Sequence, residues 1–199
     1  MARGPSVPGT IEIATMSVAA EIFLSKQIAL VTRCGAADIA AEFPSRANWI
    51  DALVLRVTLH ATPPADRVPF ALQVVRRVET AIDEYATART HLSNFVANGR
   101  KTSSYFRALN HFELAIAEMC KPREYLVNYP GKGSIPEDEL LRRIQGIHDT
   151  VKHQPALADQ TVWITDDGLQ SKKHPIRFAE IEEALRSLGN LAVEIAVPS

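Results

Sequence analysis

The sequence is poor in the features that usually announce a class. Cys34 and Cys120 are its two cysteines. They form no CxxC pair and no ladder of spacings, which argues against a disulfide framework or a cysteine-rich metal site and points to a reducing cytoplasm. Charge of one sign is also missing. A net charge of −1 over 199 residues leaves no uniformly basic surface, so any nucleic-acid contact must come from a local cluster. No clean apolar run is long enough for a membrane span, because Glu12, Glu21 and Lys26 interrupt the stretch from Ile11 to Val31. The same acids, with no short basic start before them, argue against a secretory signal. Phosphate-cradling loops are absent too, since "PGKGS" lacks the P-loop spacing. His148, His153 and His174 near Asp149 contain no HExxH-like pair, so no metal and no other cofactor is expected.

What the chain does have is helical periodicity. Met1–Thr10 reads as a loose lead-in, and residues 11–199 as a single helical domain, with N-terminal helices over 11–66 and a core over 67–199. A first amphipathic helix is expected from about Ile11 to Arg33. A second follows Ser45, its expected cap, with Trp49, Leu53, Val54 and Val57 as a buried stripe. Three prolines in "ATPPADRVP" then break the pattern. Val75, Val78, Ile82, Tyr85, Arg89, Leu92 and Val96 repeat at steps of three and four, the seam of a long helix lying on another. Arg89 on that seam should pack its stem and free its head at an edge. After "NGRK", Tyr105, Leu109, Phe112, Ile116 and Met119 carry the same steps, so residues from about Thr102 to Met119 should run back antiparallel. Ser134 and Pro136 open a further helix. "TVWIT", the turn residues Asp166, Asp167 and Gly168, and a partner strand through Ser171–Arg177 predict a small hairpin near 160–177. "FAEIEEALRSLGNLAVEIA" closes the chain as a helix. The fold class expected is all-α: a bundle of about five or six helices around the long antiparallel pair, with one β-hairpin before the C-terminal helix.

The helix ending in "LLRRIQGIHDTVKHQP" concentrates the reactive residue types. At about 100° per residue, Leu140, Ile144, Ile147 and Val151 form its core face, and Arg142, Asp149 and His153 gather on the opposite side with Lys152 close by. Arg143 and His148 flank the apolar stripe on its two shoulders. Asp149 and His153, four apart, could form an oriented base, with Arg142 holding an anionic group beside it. A solvated helix end would collect the same residues without any chemistry. "SKKHPIR" is the densest basic cluster. Its Lys172, Lys173 and Arg177 could touch an RNA backbone or simply protect a strand edge. His111 and Glu113 read as a polar flank of the second long helix, with Glu113 placed to brace an arginine of the next one.

The long pair carrying "YFRALNHFELAI", followed by "RRIQGIHDTVKH", resembles the HEPN superfamily of small all-helical proteins, over roughly residues 70–196. The family signature is an arginine, four to six residues, then a histidine. Arg143 and His148 enclose four residues, and Arg142 and His148 five. The resemblance implies a metal-independent endoribonuclease of a toxin–antitoxin or defence system, working as a homodimer on RNA and restrained by an antitoxin protein. His148 would handle a ribose or leaving-group proton while Arg142 or Arg143 holds the scissile phosphate. Family members carry Asn, Asp or His directly after the arginine, and here Ile144 follows Arg143. That departure favours the alternative, a non-catalytic HEPN-like module that binds a nucleotide, RNA or a partner protein.

Overall fold

A computed structural model describes residues 26–127, 139–152, 162–171 and 175–197. Its frame is the pair α3 (Val68–Ala97) and α4 (Thr102–Val127), preceded by the short α1 (Ile39–Glu42) and by α2 (Trp49–His60), and followed by α5 (Glu139–Lys152) and α6 (Phe178–Ala196). Between α5 and α6 lie three short strands, β1 (Trp163–Ile164), β2 (Gly168–Gln170) and β3 (Ile176–Arg177).

The seam of the long pair follows the apolar spacing. Val75, Val78, Ile82, Tyr85 and Leu92 on α3 are buried, as are Tyr105, Leu109, Phe112, Ile116 and Met119 on α4. Near the end of α3, Phe95 takes the buried place expected of Val96, which is half-buried. The helices are antiparallel, because Arg77 pairs with Glu118 while Glu84, one heptad on, meets His111. Gly99 (φ +72°) and Arg100 (φ +56°) reverse the chain between them, and the Arg100 N–H closes the end of α3 by donating to the Phe95 carbonyl at 3.0 Å. The Arg100 guanidinium then reaches the carbonyls of Ile28 and Ala29 at 2.9 and 2.8 Å, at the end of the helical residues 26–30. The first helix therefore stops at Leu30, short of the expected Arg33. By contrast α4 runs past Met119 and through Pro122 to Val127. Proline gives up one ladder bond, but Met119, Cys120 and Pro122 are all buried, and packing sustains the helix.

α6 lies against α3, where Phe178 stacks on Phe112 (centroids 4.9 Å apart) and Tyr85 meets Phe112 edge-on at 5.4 Å. Glu182 is buried in the same layer and accepts two hydrogen bonds, from the Tyr85 hydroxyl and the Ala37 N–H, both at 2.7 Å. Burial, then the hydrogen bond to Glu182 and its charge, push the Tyr85 phenol far up. The segment before Pro63 joins the same core through Val31, Ile39, Phe43, Trp49 and Leu53. Ser45 precedes a 3₁₀ turn, Arg46–Asn48, and makes no side-chain cap, so α2 starts at Trp49. Val54, expected on its buried stripe, is exposed. Trp49 and Leu53 carry the contact, and Arg56 caps the carbonyls of Glu194 and Ile195 at the end of α6.

The expected hairpin is a three-stranded antiparallel sheet, order β1-β2-β3, pairing Ile164 with Leu169 and Leu169 with Ile176. Gly168 was expected to belong to the turn, and instead opens the central strand. Ser171 lies just past β2, and of the partner strand expected through Ser171–Arg177 the described part is the short β3. With two residues each in β1 and β3, alternation was too brief to count strands. The sheet is fastened at both ends. The Ile164 N–H donates to the Tyr105 hydroxyl at 2.8 Å. The Asp166 carboxylate accepts from the N–H and hydroxyl of Thr32, both at 2.6 Å, and from the Arg33 N–H at 3.1 Å. Gly35 permits this approach, since a Cβ there would sit 2.3 Å from the Asp166 carbonyl oxygen.

Candidate functional site

The clearest concavity at the charged helix lies between α5, the strands and the start of α6. It is a cleft of about 410 Å³ lined by Arg143, Asp167, Gln170, Ile176, Arg177 and Glu180, among others. Two guanidinium groups and two carboxylates share it. Its volume falls in the range of small-ligand sites.

Arg143 reaches the cleft because Ile144 and Ile147 are buried. That fixes the rotation of α5 and leaves Arg143 on one shoulder. Its Nη2 lies 2.5 Å from Glu180 Oε1, with the side chains 28% and 15% exposed. The other oxygen, Glu180 Oε2, accepts the Arg177 N–H at 2.8 Å. This closes the N-terminus of α6, one half of a capping box, while Arg177 Nε stands 3.6 Å away. Burial opposes the charge on Glu180, but the hydrogen bonds from Arg143 and the Arg177 N–H, with the two guanidinium charges, outweigh it and hold the carboxyl below its usual range. Glu180 thus ties a cleft-lining cation to the start of the last helix.

The other site residues read from the sequence are not all brought to this cleft. His148 is half-buried on α5. It does not line the cleft, as expected for two residues about 140° apart on one helix. Asp149 accepts from Gln145 Nε2 at 2.8 Å, one turn earlier on the exposed face. The partner expected for it, His153, lies outside the described residues. So do Lys172, Lys173 and His174, while Arg142 and Lys152 fall on α5 with side chains beyond the description. Arg177 is present at the cleft mouth with its side chain 76% exposed.

Glu180 holds Arg143. Glu113, expected to brace an arginine of this helix, makes no hydrogen bond or ion pair among the described side chains, with that of Arg142 outside them, and burial pushes its carboxyl up to about 7. Arg89 sits at an edge, with Nε donating to the Ala36 carbonyl at 3.1 Å and Nη1 3.6 Å from Asp38. Among the described residues no group of three or more His, Cys, Asp or Glu could hold a metal ion, and no helix is long and apolar enough to cross a membrane.

Two functional features escaped the sequence. The Arg143–Glu180 pair spans 37 residues, and only the acid three residues after Arg177, a helix-start signal, hinted at Glu180. His111 contacts Glu84 across the long pair at 2.5 Å, where the seven-residue spacing of Arg77, Glu84 and His91 would have placed all three on one edge. Comparison with protein-family models, curated sequences and solved structures gives no match.

Proposed function

We propose that this chain is a non-catalytic, HEPN-like helical module that binds an anionic ligand, the phosphate of a nucleotide or of RNA, in the cleft beside Arg143. The carrying observation is the Arg143–Glu180 clasp at 2.5 Å. A guanidinium fixed by a carboxylate holds a set position and brings a permanent positive charge to the cleft wall, which suits recognition of an oxyanion. The arginine–histidine chemistry of the nuclease needs its histidine within hydrogen-bond reach, and none of the described histidines lines the cleft. Arg177 at the mouth adds a second cation for a phosphate.

A second reading is the metal-independent endoribonuclease of a cytoplasmic toxin–antitoxin or defence system, with Arg142 or Arg143 and His148 as the reacting pair. It is favoured by the placement of Arg143 and His148 on opposite shoulders of α5, around buried Ile144 and Ile147. Two copies could bring one residue from each into a composite site. An antitoxin protein would then be a further partner.

Incubating purified protein with total RNA in chelator separates the two. The binding module leaves RNA intact, and a ribonucleoside monophosphate binds with an affinity that falls about tenfold in Arg143→Gln. Cutting that persists in chelator and disappears in His148→Ala establishes the nuclease instead.

A further inference from the structure

Away from the cleft, one edge of the long helix pair carries a ladder of polar groups. Arg77, Glu84 and His91 follow one another at heptad spacing on α3, facing Glu118, His111 and Arg107 on α4. The first rung is closed, since Arg77 Nη1 reaches both oxygens of Glu118 at 2.8 and 2.7 Å. The second and third rungs are open on one side. Glu84 Oε2 lies 2.5 Å from His111 Nδ1. A carboxylate only accepts, so Nδ1 donates and Nε2 becomes the free pole of that ring. His91 lies nearly parallel to it, with centroids 5.4 Å apart and planes 17° from parallel. Neither ring nitrogen of His91 has a hydrogen bond among the described residues. Arg107, exposed and one turn before His111, likewise has no hydrogen bond or ion pair there.

An interhelical polar edge needs only complementary pairs, and the Arg77–Glu118 rung supplies one. Two imidazoles and a guanidinium crowded behind a single carboxylate are not complementary to one another. The conflict registers on His91, whose proton affinity is lowered by burial, then by neighbouring His111 and Arg107. Arg107 donates in any state, a neutral His91 offers one N–H, and His111, with Nδ1 given to Glu84, donates from Nε2 as the imidazolium. Such a group gains most from a ligand with several anionic oxygens on one atom. A planar carboxylate offers two, whereas a terminal phosphate offers three, and guanidinium recognises it in bidentate fashion.

We propose that His91, His111 and Arg107 form a second anion site, distinct from the cleft, which binds a terminal phosphate, with Glu84 as the positioning residue that orients His111. The site stands apart from the proposed function and survives if that reading fails.

NMR of the histidine ring C–H resonances in the full chain tests it, with inorganic phosphate and phenyl phosphate as probes. Saturable shifts of both His91 and His111 are expected, with affinity about tenfold weaker in Arg107→Gln and unchanged in Arg143→Gln. Arg107 is exposed, so its replacement leaves the fold intact. Saturation by both probes identifies the phosphate group of an ester as the ligand, and saturation by inorganic phosphate alone identifies the free ion. The site is ruled out if neither ring shifts saturably, or if Arg107→Gln binds as wild type.

Discussion

Arg77 and Arg143 are nearly matched residues in different settings. Each arginine side chain is 28% exposed and faces a glutamate, 17% exposed for Glu118 and 15% for Glu180. Glu118 gives both oxygens to Arg77 and closes a rung between two long helices. Glu180 divides its oxygens, one to Arg143 and one to the backbone at the start of α6, and the guanidinium it holds lines open space. The same pair of side chains is a staple in one place and a positioned cation in the other. The difference lies in the surroundings, so a count of ion pairs would miss it.

Breaking the frame should have the largest effect. Phe112 is packed between Tyr85 and Phe178, and Phe112→Ala should cost about 3–5 kcal/mol in denaturant unfolding. A smaller loss would mean that the layer between the long pair and α6 collapses readily around the cavity.

Removing one carboxylate at a time sharpens the contrast between the two arginines. Glu118→Ala and Glu180→Ala each remove a carboxylate from a half-buried arginine, at about 1–3 kcal/mol. Glu180→Ala should cost more, because it also uncaps α6, worth about 1 kcal/mol. Equal losses would show that the shared oxygen contributes nothing to the helix start.

The pH dependence separates these acids further. Glu180 has a folded pKa below its unfolded value, so its contribution is present above the normal carboxylate range and is lost as pH falls through the folded pKa. Glu113 works the other way. Its folded value of about 7 lies above the ordinary glutamate value of 4.5, so the folded state holds the proton longer and stability falls as pH rises from about 4.5 to about 7. In Glu113→Gln that decline should disappear, leaving the variant more stable than wild type at pH 8 by on the order of 2 kcal/mol. Parallel stability curves for the two proteins over this range would contradict the assignment.

The smallest expected effect is at the cleft mouth. The Arg177 side chain is largely exposed, so Arg177→Ala should change stability by less than about 0.5 kcal/mol while weakening nucleotide binding. A large stability loss would make Arg177 part of the clasp.

Much of the frame could be read from the sequence, because the spacing of Val75, Val78, Ile82 and Tyr85 and of Tyr105, Leu109, Phe112 and Ile116 records one buried face on each helix. The last helix was legible to its ends for the same reason. The sheet was not, since strands of two and three residues leave too little alternation to read. At the site, helix geometry set Arg143 and His148 on separate shoulders, and the cleft is lined by Arg143 and not by His148. The partner of Arg143 was invisible because it comes from another helix 37 residues away. Local spacing offered Glu113 as a brace and could not say that packing would deliver Glu180 to Arg143.

The most direct test of the binding account is calorimetric titration of a ribonucleoside monophosphate into the wild-type chain and Arg143→Gln. We expect saturable binding to the wild type and about tenfold weaker binding to the variant. Identical affinities in the two proteins would contradict a phosphate site at the Arg143 cleft.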